Sequence, residues 1–544
     1  MTKYDPSLVD DFLSHHWTWR PVDATFMGDK AHDALLPPVG DDVIDEERRS
    51  IAALRERLQD TAIPDDIGNR LDRRMMLAEL AVQDMAAAER SRLRNPAWYS
   101  GEAAFAVISL LLPQSAPVRH DALIARLGAI PGFLHAAAGG LARRPTPAGW
   151  VNRARREAAA MAEFLAGDIK LHEEFADDWA SPALAAAAAF TDFATAIAGL
   201  PDADPACGEV YLARLFETQH GLSIRPASAV DLAEASFERL GAELEDMAAA
   251  VDPNRTWEEI IAGLSAEHPG DAEAVIDSYM HWDVQAVVDG HRLVTPAQEY
   301  DLDYRWMAPC FRKVSQSLYF LFYRSPPGLK PGEGSVYWVT PPGENIETFL
   351  ASNNRATVKT IHSVHHGSVG HHTQNTRARA SESRLARIAG TDCALGLAFL
   401  GSITLIEGWA CYVEDLLMEA PGFYSPAEVL LLKQYERRNA ASVLVDVRLH
   451  TGEWSMEEAM AFYRDKAGFA PARVEAEVVR NSMMPGSRAM YWLGVEGIRA
   501  LRRRWKGDTL SFHDTLLSFG HVPLAWIGEE MHRAGLLNPG PSIL

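Results

Sequence analysis

Residues 362–372 read His-Ser-Val-His-His-Gly-Ser-Val-Gly-His-His, which places five histidines within eleven positions. Some way downstream, residues 405–409 read Leu-Ile-Glu-Gly-Trp, with the carboxylate of Glu407 among apolar neighbours. A charged group in such surroundings is costly unless a partner compensates it, and a cation is the obvious partner. A single buried histidine is usually structural, but five of them followed by this carboxylate predict a metal site. The main alternative is a histidine-rich loop that binds metal only adventitiously.

The spacing of the histidines leaves more than one set of ligands open. On a regular helix, residues i and i+4 face the same way, which favours His362 and His366 as a pair. His365 and His371 are six residues apart and would point away from each other, whereas His365 and His372 would share a face roughly 10 Å apart along the axis. Either of the latter pairs requires a kink, which the two glycines between them permit.

The order of these elements is typical of gluzincin metallohydrolases, which use histidines of one helix and a glutamate of a second helix roughly 35 to 40 residues later. In that pattern a glutamate directly follows the first metal histidine and serves as general base, but here His366 stands in its place. Loss of the glutamate should slow peptide hydrolysis by several orders of magnitude. His366 could itself be the base, since imidazole titrates near neutral pH, or it could be a further ligand. Glu414, seven residues after Glu407, could orient a metal histidine, the alternative being a plain surface charge.

The composition is that of a large cytoplasmic protein. The chain has 544 residues, 47% of them hydrophobic, and can bury a sizeable core. Its net charge of -22 argues against nucleic acid or an anionic membrane as a partner. The four cysteines show no CxxC spacing, the start has no secretion signal, and apolar stretches such as 185–190 and 394–400 are too short to span a bilayer. We therefore expect a cytoplasmic location, no membrane and free thiols, and leave the oligomeric state open.

Helical periodicity dominates the chain and predicts a mainly α fold, with helices over residues 51–71, 75–93, 154–175 and 184–200. The Pro- and Gly-rich stretch 323–344 surrounds Ser-Val-Tyr-Trp-Val at 335–339, which reads as a strand or hairpin near the metal helix. The weakly periodic segment 202–226 is the expected boundary between an N-terminal helical lobe, 1–225, and a metal-binding catalytic lobe, 226–544.

Three ordered motifs carry a resemblance to a known family. Residues 365–374 correspond to His-Glu-x-x-Pro-Gly-His-His-x-Gln, residues 407–414 to Glu-Gly-Trp-Ala-x-Tyr-x-Glu, and residues 480–494 to Arg-Tyr-x-x-x-Pro-Gly-Gln-x-x-x-Tyr-x-x-Gly. With these motifs the chain resembles the bacterial family known as domain of unknown function 885, zincin-like proteins similar to the M3 and M32 metallocarboxypeptidases. The resemblance runs end to end and implies a two-lobed, zincin-like (gluzincin) helical fold with a deep central cleft.

The resemblance also implies roles for individual residues. Carried over by position, it makes His365, Glu407 and one histidine of the pair His371/His372 ligands of a divalent metal ion. Zinc is the first expectation, and iron, manganese, nickel and copper are alternatives that imidazole and carboxylate also accept.

Two further positions and several departures complete the comparison of motifs. Tyr491 and Arg480 match positions suited to stabilising an oxyanion or holding a substrate carboxylate, the alternative being a core tyrosine and a surface ion pair. The chain departs from the family pattern where chemistry is expected: His366 replaces glutamate, Val369 proline, Asn481 tyrosine and Ser487 glutamine.

These observations predict a metal-dependent hydrolase or related metalloenzyme whose chemistry has diverged from peptide cleavage. It would act on a small amide, ester or other polar metabolite, with His366 moving protons. One alternative is a metallocarboxypeptidase with an unusual base, whose substrate would be a short peptide. Another is a catalytically silent relative that binds a metal, peptide or metabolite.

Overall fold

The computed structural model describes residues 2–40, 42–113, 116–297, 301–318, 323–325, 327–330, 334–390 and 402–540. This part of the chain is mainly α-helical with a small three-stranded sheet, as the periodicity predicts. Cys393 and the apolar stretch 394–400 lie outside the described residues. The two-lobed shape, the central cleft and the zincin-like character stay predictions.

The helices and strands follow one another in a simple order. The helices are α1 Leu8–Trp19, α2 Pro21–Met27, α3 Val43–Gln59, α4 Ile67–Glu89, α5 Pro96–Leu111, α6 His120–Leu141, α7 Ala148–Ala166, α8 Ala180–Ala196, α9 Glu209–Arg214, α10 Pro226–Val251, α11 Trp257–Gly263, α12 Glu273–Gly290, α13 Val314–Ser317, α14 Ile346–Ser352, α15 Arg355–Thr357, α16 His371–Ala378, α17 Arg384–Ile388, α18 Ile403–Leu416, α19 Pro426–Thr451, α20 Met456–Asp465, α21 Pro471–Met483, α22 Ala489–Arg504, α23 Thr509–Ser518 and α24 Leu524–Arg533. The strands are β1 Leu302–Trp306, β2 Tyr323–Arg324 and β3 Ser335–Val339. Two π-helices, Leu215–Gln219 and Val358–His365, interrupt the α-helical pattern.

The strand predicted at 335–339 is present as β3. The prediction of one continuous helix over 51–71 is wrong, because residues 60–66 are not helical and separate α3 from α4. Pro64 lies in this break, and a proline disfavours helical backbone both at its own position and at the residue before it.

The chain forms two compact units. One consists of Met1–Pro205, Trp306–Glu333 and Glu382–Leu400, and the other of Ala206–Arg305, Gly334–Ser381 and Gly401–Leu544. The first passage between them falls inside the segment 202–226, but the units are interleaved along the sequence, whereas the predicted lobes 1–225 and 226–544 are continuous.

The first unit is built around α5, whose 16 residues are all buried. Its sequence is apolar almost all round, which is the pattern of a helix covered on every side. It packs against α6 and α7, and α6 and α7 both pack against α8. One described helix, α6, is long and apolar enough to cross a bilayer by length and composition alone. Core helices of soluble proteins pass the same test, so the predicted absence of a membrane partner stays a prediction.

The second unit contains the residues predicted to form the metal site. Its longest helices, α10 and α19, pack along each other, and α18 and α22 form a second close pair. Helix α19 begins with a capping box, in which Ser425 and Glu428 satisfy each other's backbone N–H groups, with Pro426 at the first helical position. Helix α18 begins at the cap of Ser402, whose side chain accepts from the N–H of Thr404.

Candidate metal centre

A change of backbone direction brings the histidines together. The π-helix ends at His365, the chain turns through 366–370, and α16 starts at His371. The turn requires glycine at Gly370, because a Cβ there would overlap the carbonyl oxygens of Val364 and His365. The kink that the glycines permit is therefore present, and π-helical segments of this kind are frequent at functional sites.

Asp283 of α12 stabilises the turn at residues 366–370 by hydrogen bonds with Ser368. Its carboxylate accepts from the backbone N–H of Ser368 at 2.6 Å and from the Ser368 hydroxyl at 2.7 Å. A Cβ on Gly367 would collide with this carboxylate, so the glycine also makes room for it. Burial raises the pKa of Asp283 to about 6, although its hydrogen bonds with Ser368 oppose the shift.

His365 is fixed between two carboxylates of α18. Its Nδ1 donates to Oε1 of Glu414 at 2.6 Å, and its Nε2 lies 3.7 Å from Oε2 of Glu407. Both Glu414 and the imidazole are buried, at 5% and 8% exposure. A carboxylate on one ring nitrogen fixes the tautomer and leaves the other nitrogen free to bind a metal ion. Glu414 is therefore not a surface charge. It is buried and orients the ring of His365.

His371 is held in the same manner by Gln374, one turn later in α16. Its Nδ1 lies 3.0 Å from Oε1 of Gln374, and its Nε2 lies 3.8 Å from Oε2 of Glu407. The amide nitrogen of Gln374 donates to the carbonyl of Leu405 at 2.8 Å, which leaves the amide oxygen to accept from His371. One side chain therefore orients His371 and ties α16 to the turn of α18 that carries Glu407.

The donor set fits a divalent metal ion. Ring nitrogens of His365, His366 and His371 lie within 4.8 Å of one another, and Glu407 reaches two of the three rings. Ligand atoms about 2.0–2.1 Å from a tetrahedral zinc ion are separated by roughly 3.3 Å, so the side chains would draw closer by up to about 1.5 Å around an ion.

The electrostatics of the centre follow from the same contacts. Burial alone would lower the pKa of His365, but its interactions with Cys411, Glu407 and Glu414 raise the pKa well above its usual value. Burial alone would raise the pKa of Glu407, but the neighbouring rings of His365 and His371 hold it well below its usual value. Burial and the neighbouring imidazoles lower the pKa of His366 well below normal. The group therefore contains one strongly paired anion and a neutral third imidazole.

The other two histidines of the run point elsewhere. His372 is 2% exposed, and its Nδ1 lies 3.0 Å from the Ser335 hydroxyl of β3. His362 stacks on Tyr279 with ring centroids 4.7 Å apart and shares a hydrogen bond with the Tyr337 hydroxyl. The structure thus brings His371, not His372, to Glu407. The i,i+4 pairing of His362 with His366 fails because the intervening turn is π-helical rather than α-helical.

Tyr491 and Arg480 lie on α22 and α21. Tyr491 lies close enough to Glu407 for the two side chains to interact, and burial together with this carboxylate raises the pKa of Tyr491 to about 12. Arg480, in the last turn of α21, acts electrostatically on Tyr491 and on Glu477. Tyr491 is therefore near the candidate ligand Glu407, whereas Arg480 is related to it only through Tyr491, and the predicted roles of both residues stay predictions.

Sequence reasoning missed three residues of this neighbourhood. Gln374 is the last position of the first family motif, a signal that could have identified it. Arg488, in the third motif, lies 4.5 Å from the centroid of the Tyr491 ring, measured from Cζ. No sequence pattern identifies Asp283 as part of the site, because its partner Ser368 is 85 residues away in sequence.

Comparison with known proteins yields one family and a common fold. The sequence matches the family described as "Bacterial protein of unknown function (DUF885)" over residues 21–531. No curated protein matches the chain.

Two solved structures are similar over nearly their whole length. A candidate lipoprotein of unknown function from Shewanella oneidensis is 17% identical with a TM-score of 0.76, covering 96% of this chain and 99% of its own. A candidate lipoprotein from Colwellia psychrerythraea is 17% identical with a TM-score of 0.75, covering 97% and 98%. At this identity the likeness establishes the fold alone. Both proteins are described as lipoproteins, whereas a cytoplasmic location is predicted for this chain. That location stays a prediction.

Proposed function

This chain belongs to the DUF885 family of bacterial proteins of unknown function, and from that premise we propose that it is a zincin-like metal-dependent enzyme, which hydrolyses a small amide, ester or related polar metabolite. His365, His371 and Glu407 would hold a divalent ion, with zinc as the first expectation. His366 would take the position of the general base.

One observation carries this proposal. Two imidazoles present Nε2 to the same carboxylate oxygen of Glu407, at 3.7 and 3.8 Å, while their Nδ1 atoms are held by Glu414 and Gln374. A metal ligand requires a fixed tautomer and orientation, which a polar partner on Nδ1 provides while Nε2 faces the ion. A histidine that is only packed in a core does not require both contacts.

The roles of the remaining side chains follow from their contacts. A bound divalent ion would act as a Lewis acid that polarises a carbonyl group. His366 is neutral at pH 7 because its pKa is depressed, so its ring can act as a proton acceptor, but the low pKa makes it a weaker base than an ordinary imidazole. Tyr491 stays protonated, and its hydroxyl can donate to Glu407 or to an oxyanion that develops beside it.

The test begins with metal rather than with a substrate. Purified protein is dialysed against zinc, manganese, nickel and iron(II) in turn, and bound metal is measured by mass spectrometry together with Kd. We expect one equivalent per chain for the wild type, and strong loss in Glu407→Gln and His365→Ala. Glu453→Gln, an exposed position in the same unit, serves as control.

Turnover is then measured on a panel of small amides, esters and dipeptides with the loaded protein. Cleavage that disappears in Glu407→Gln supports the proposal. A wild-type protein that binds no metal, or binds as much as Glu407→Gln, contradicts it. Metal binding without turnover on the panel would favour a silent binding protein instead.

A further inference from the structure

A row of apolar side chains runs along the exposed face of α12. Met280, Val284 and Val288 follow one another at intervals of four residues and are 42%, 62% and 55% exposed. Residues at this spacing lie on one side of a helix, so the three side chains are neighbours. The opposite face of α12 is buried and carries Asp283, which stabilises the turn at residues 366–370. The outer face of a surface helix is ordinarily polar, and this row is therefore suited to contact a partner.

Ionisable side chains continue the same face at both ends of the row, and their sign differs between the ends. Glu273 and Asp277 precede the row, His291 and Arg292 follow it, and all four are exposed. The backbone of His291 keeps helical dihedral angles, φ -57° and ψ -23°, so the face continues past the end of α12. Neither Asp277 nor Arg292 forms an ion pair with another described residue. The face is thus acidic at its start, apolar in its centre and basic at its end.

This order is complementary to itself when two copies of α12 run antiparallel. Val284 is the centre of the face, because Asp277 lies seven residues before it and His291 seven residues after it. With a two-fold axis at Val284, Met280 of each copy faces Val288 of the other. The same register places each Asp277 opposite His291. Parallel helices would instead bring the two acidic ends together and the two basic ends together, which is unfavourable.

The charges therefore favour one occupant and one orientation. We infer that this protein forms a two-fold symmetric homodimer through the exposed face of α12, with the two helices antiparallel. The 18 residues of α12 span about 27 Å, so the contact belongs to the small, transient class of interfaces below roughly 1,200 Å². Association is accordingly weak and reversible. It does not depend on the proposed metal-dependent activity.

Sedimentation velocity of the full-length chain, from about 1 µM to about 500 µM, measures the association. We expect a reversible dimer with a Kd on the order of 10–100 µM. Val284→Glu places two carboxylates at the two-fold axis and should weaken the dimer about tenfold or more. Its urea unfolding should match that of the wild type, because Val284 is exposed. Leu232→Glu, a change at a 48% exposed position of α10, is the matched control and should dimerise like the wild type.

Disulfide cross-linking, with diamide as oxidant, tests the orientation. Val284→Cys faces its own copy across the axis and should form a covalent dimer beyond the wild-type background, whereas Leu232→Cys should not. Asp277→Cys should cross-link with His291→Cys when the two variants are mixed, but not with itself.

Three results would overturn the inference. The first is a wild-type chain that stays monomeric throughout the concentration range. The second is a dimer that Val284→Glu leaves unchanged, which would use another surface. The third is self-cross-linking of Asp277→Cys without a mixed product, which would mean that the helices run parallel.

Discussion

Gly408 of α18 packs directly on Gly494 of α22: a Cβ on Gly408 would lie 2.8 Å from the Cα of its partner, closer than any side chain allows. This close approach joins the second and third sequence motifs, since Glu407 precedes one glycine and Tyr491 lies one turn before the other. Without the glycines the two helices would have to separate, which would move Tyr491 away from Glu407.

We therefore predict that Gly494→Ala destabilises the protein and weakens metal binding together. The new Cβ would overlap the carbonyl oxygen of Thr404 and approach the Gly408 backbone. Overpacking of this kind costs about 1–3 kcal/mol, measured as the free energy of unfolding in urea. Gly128→Ala in α6 is the matched control, because nothing lies within 4 Å of its Cβ and the change should stabilise by about 0.4–1 kcal/mol. Equal stabilisation by both substitutions would show that the helices can move apart freely.

The neighbouring histidines of α16 should separate binding from structure. His371→Ala removes a proposed ligand together with its hydrogen bond to Gln374, and we expect metal affinity to fall by at least 100-fold. His372→Ala removes the buried hydrogen bond with Ser335 and should lower the unfolding free energy by about 1–3 kcal/mol while metal binding persists. Isothermal titration with zinc, beside urea unfolding of the metal-free protein, measures both quantities. The reverse pattern would mean that His372 is the ligand.

Glu414 offers a test of orientation apart from ligation. It does not belong to the proposed ligands, but it holds Nδ1 of His365 at 2.6 Å. Glu414→Ala should lower metal affinity about 10- to 100-fold, the usual effect of losing such a partner. Glu414→Gln retains an acceptor oxygen and should recover part of the affinity. Wild-type affinity in the alanine variant would refute the orienting role.

The unequal success of sequence reasoning at this site has a physical explanation. Local periodicity predicts the helices, and the order of the motifs predicts which of them carry Glu407 and Tyr491. The choice between His371 and His372 cannot be made locally, because it depends on Ser335, 37 residues earlier, and on Glu407 in another helix. The i,i+4 rule misleads at His362 because it assumes α-helical geometry, and the segment is a π-helix.

The same limit applies to the fold. Each helix is encoded by its own apolar pattern, but the interleaving of the two units depends on which distant segments pack together. Asp283 illustrates the difference, since nothing around it in sequence marks the carboxylate that holds the turn at Ser368.

Glu79 of α4 predicts a pH-dependent stability in the first unit. Burial raises the pKa of Glu79 to about 7, although Gln83 donates to it at 2.9 Å. The folded chain then binds this proton more tightly than the unfolded chain, whose glutamate titrates near 4.3. The contribution to stability is therefore present at low pH and is lost as the pH rises from about 4.5 to 7, by up to about 1.4 kcal/mol per pH unit.

The isosteric change Glu79→Gln removes this dependence and keeps the acceptor for Gln83. The variant should gain stability relative to the wild type as the pH rises, by roughly 2–3 kcal/mol in total across that window. Urea unfolding at half-unit pH steps measures the difference, and the exposed position Glu56→Gln should follow the wild type. Parallel curves for Glu79→Gln and wild type would show that burial does not shift this carboxyl group.

His366→Glu decides what the departure from the family pattern means. The change restores the glutamate of the motif and leaves His365, His371 and Glu407 as they are, so the zinc content should stay at one equivalent per chain. If the enzyme has diverged as we propose, the variant gains hydrolysis of dipeptides that the wild type lacks, and loses turnover of the wild type's own amide or ester. His366→Ala is the control, because it removes the imidazole without adding a carboxylate and should lose both activities.

A wild-type protein that already cleaves dipeptides, with no gain in His366→Glu, would instead be a working peptidase whose base is an imidazole. Loss of zinc in both variants would show that His366 is a ligand, and the donor set would then contain three imidazoles and one carboxylate.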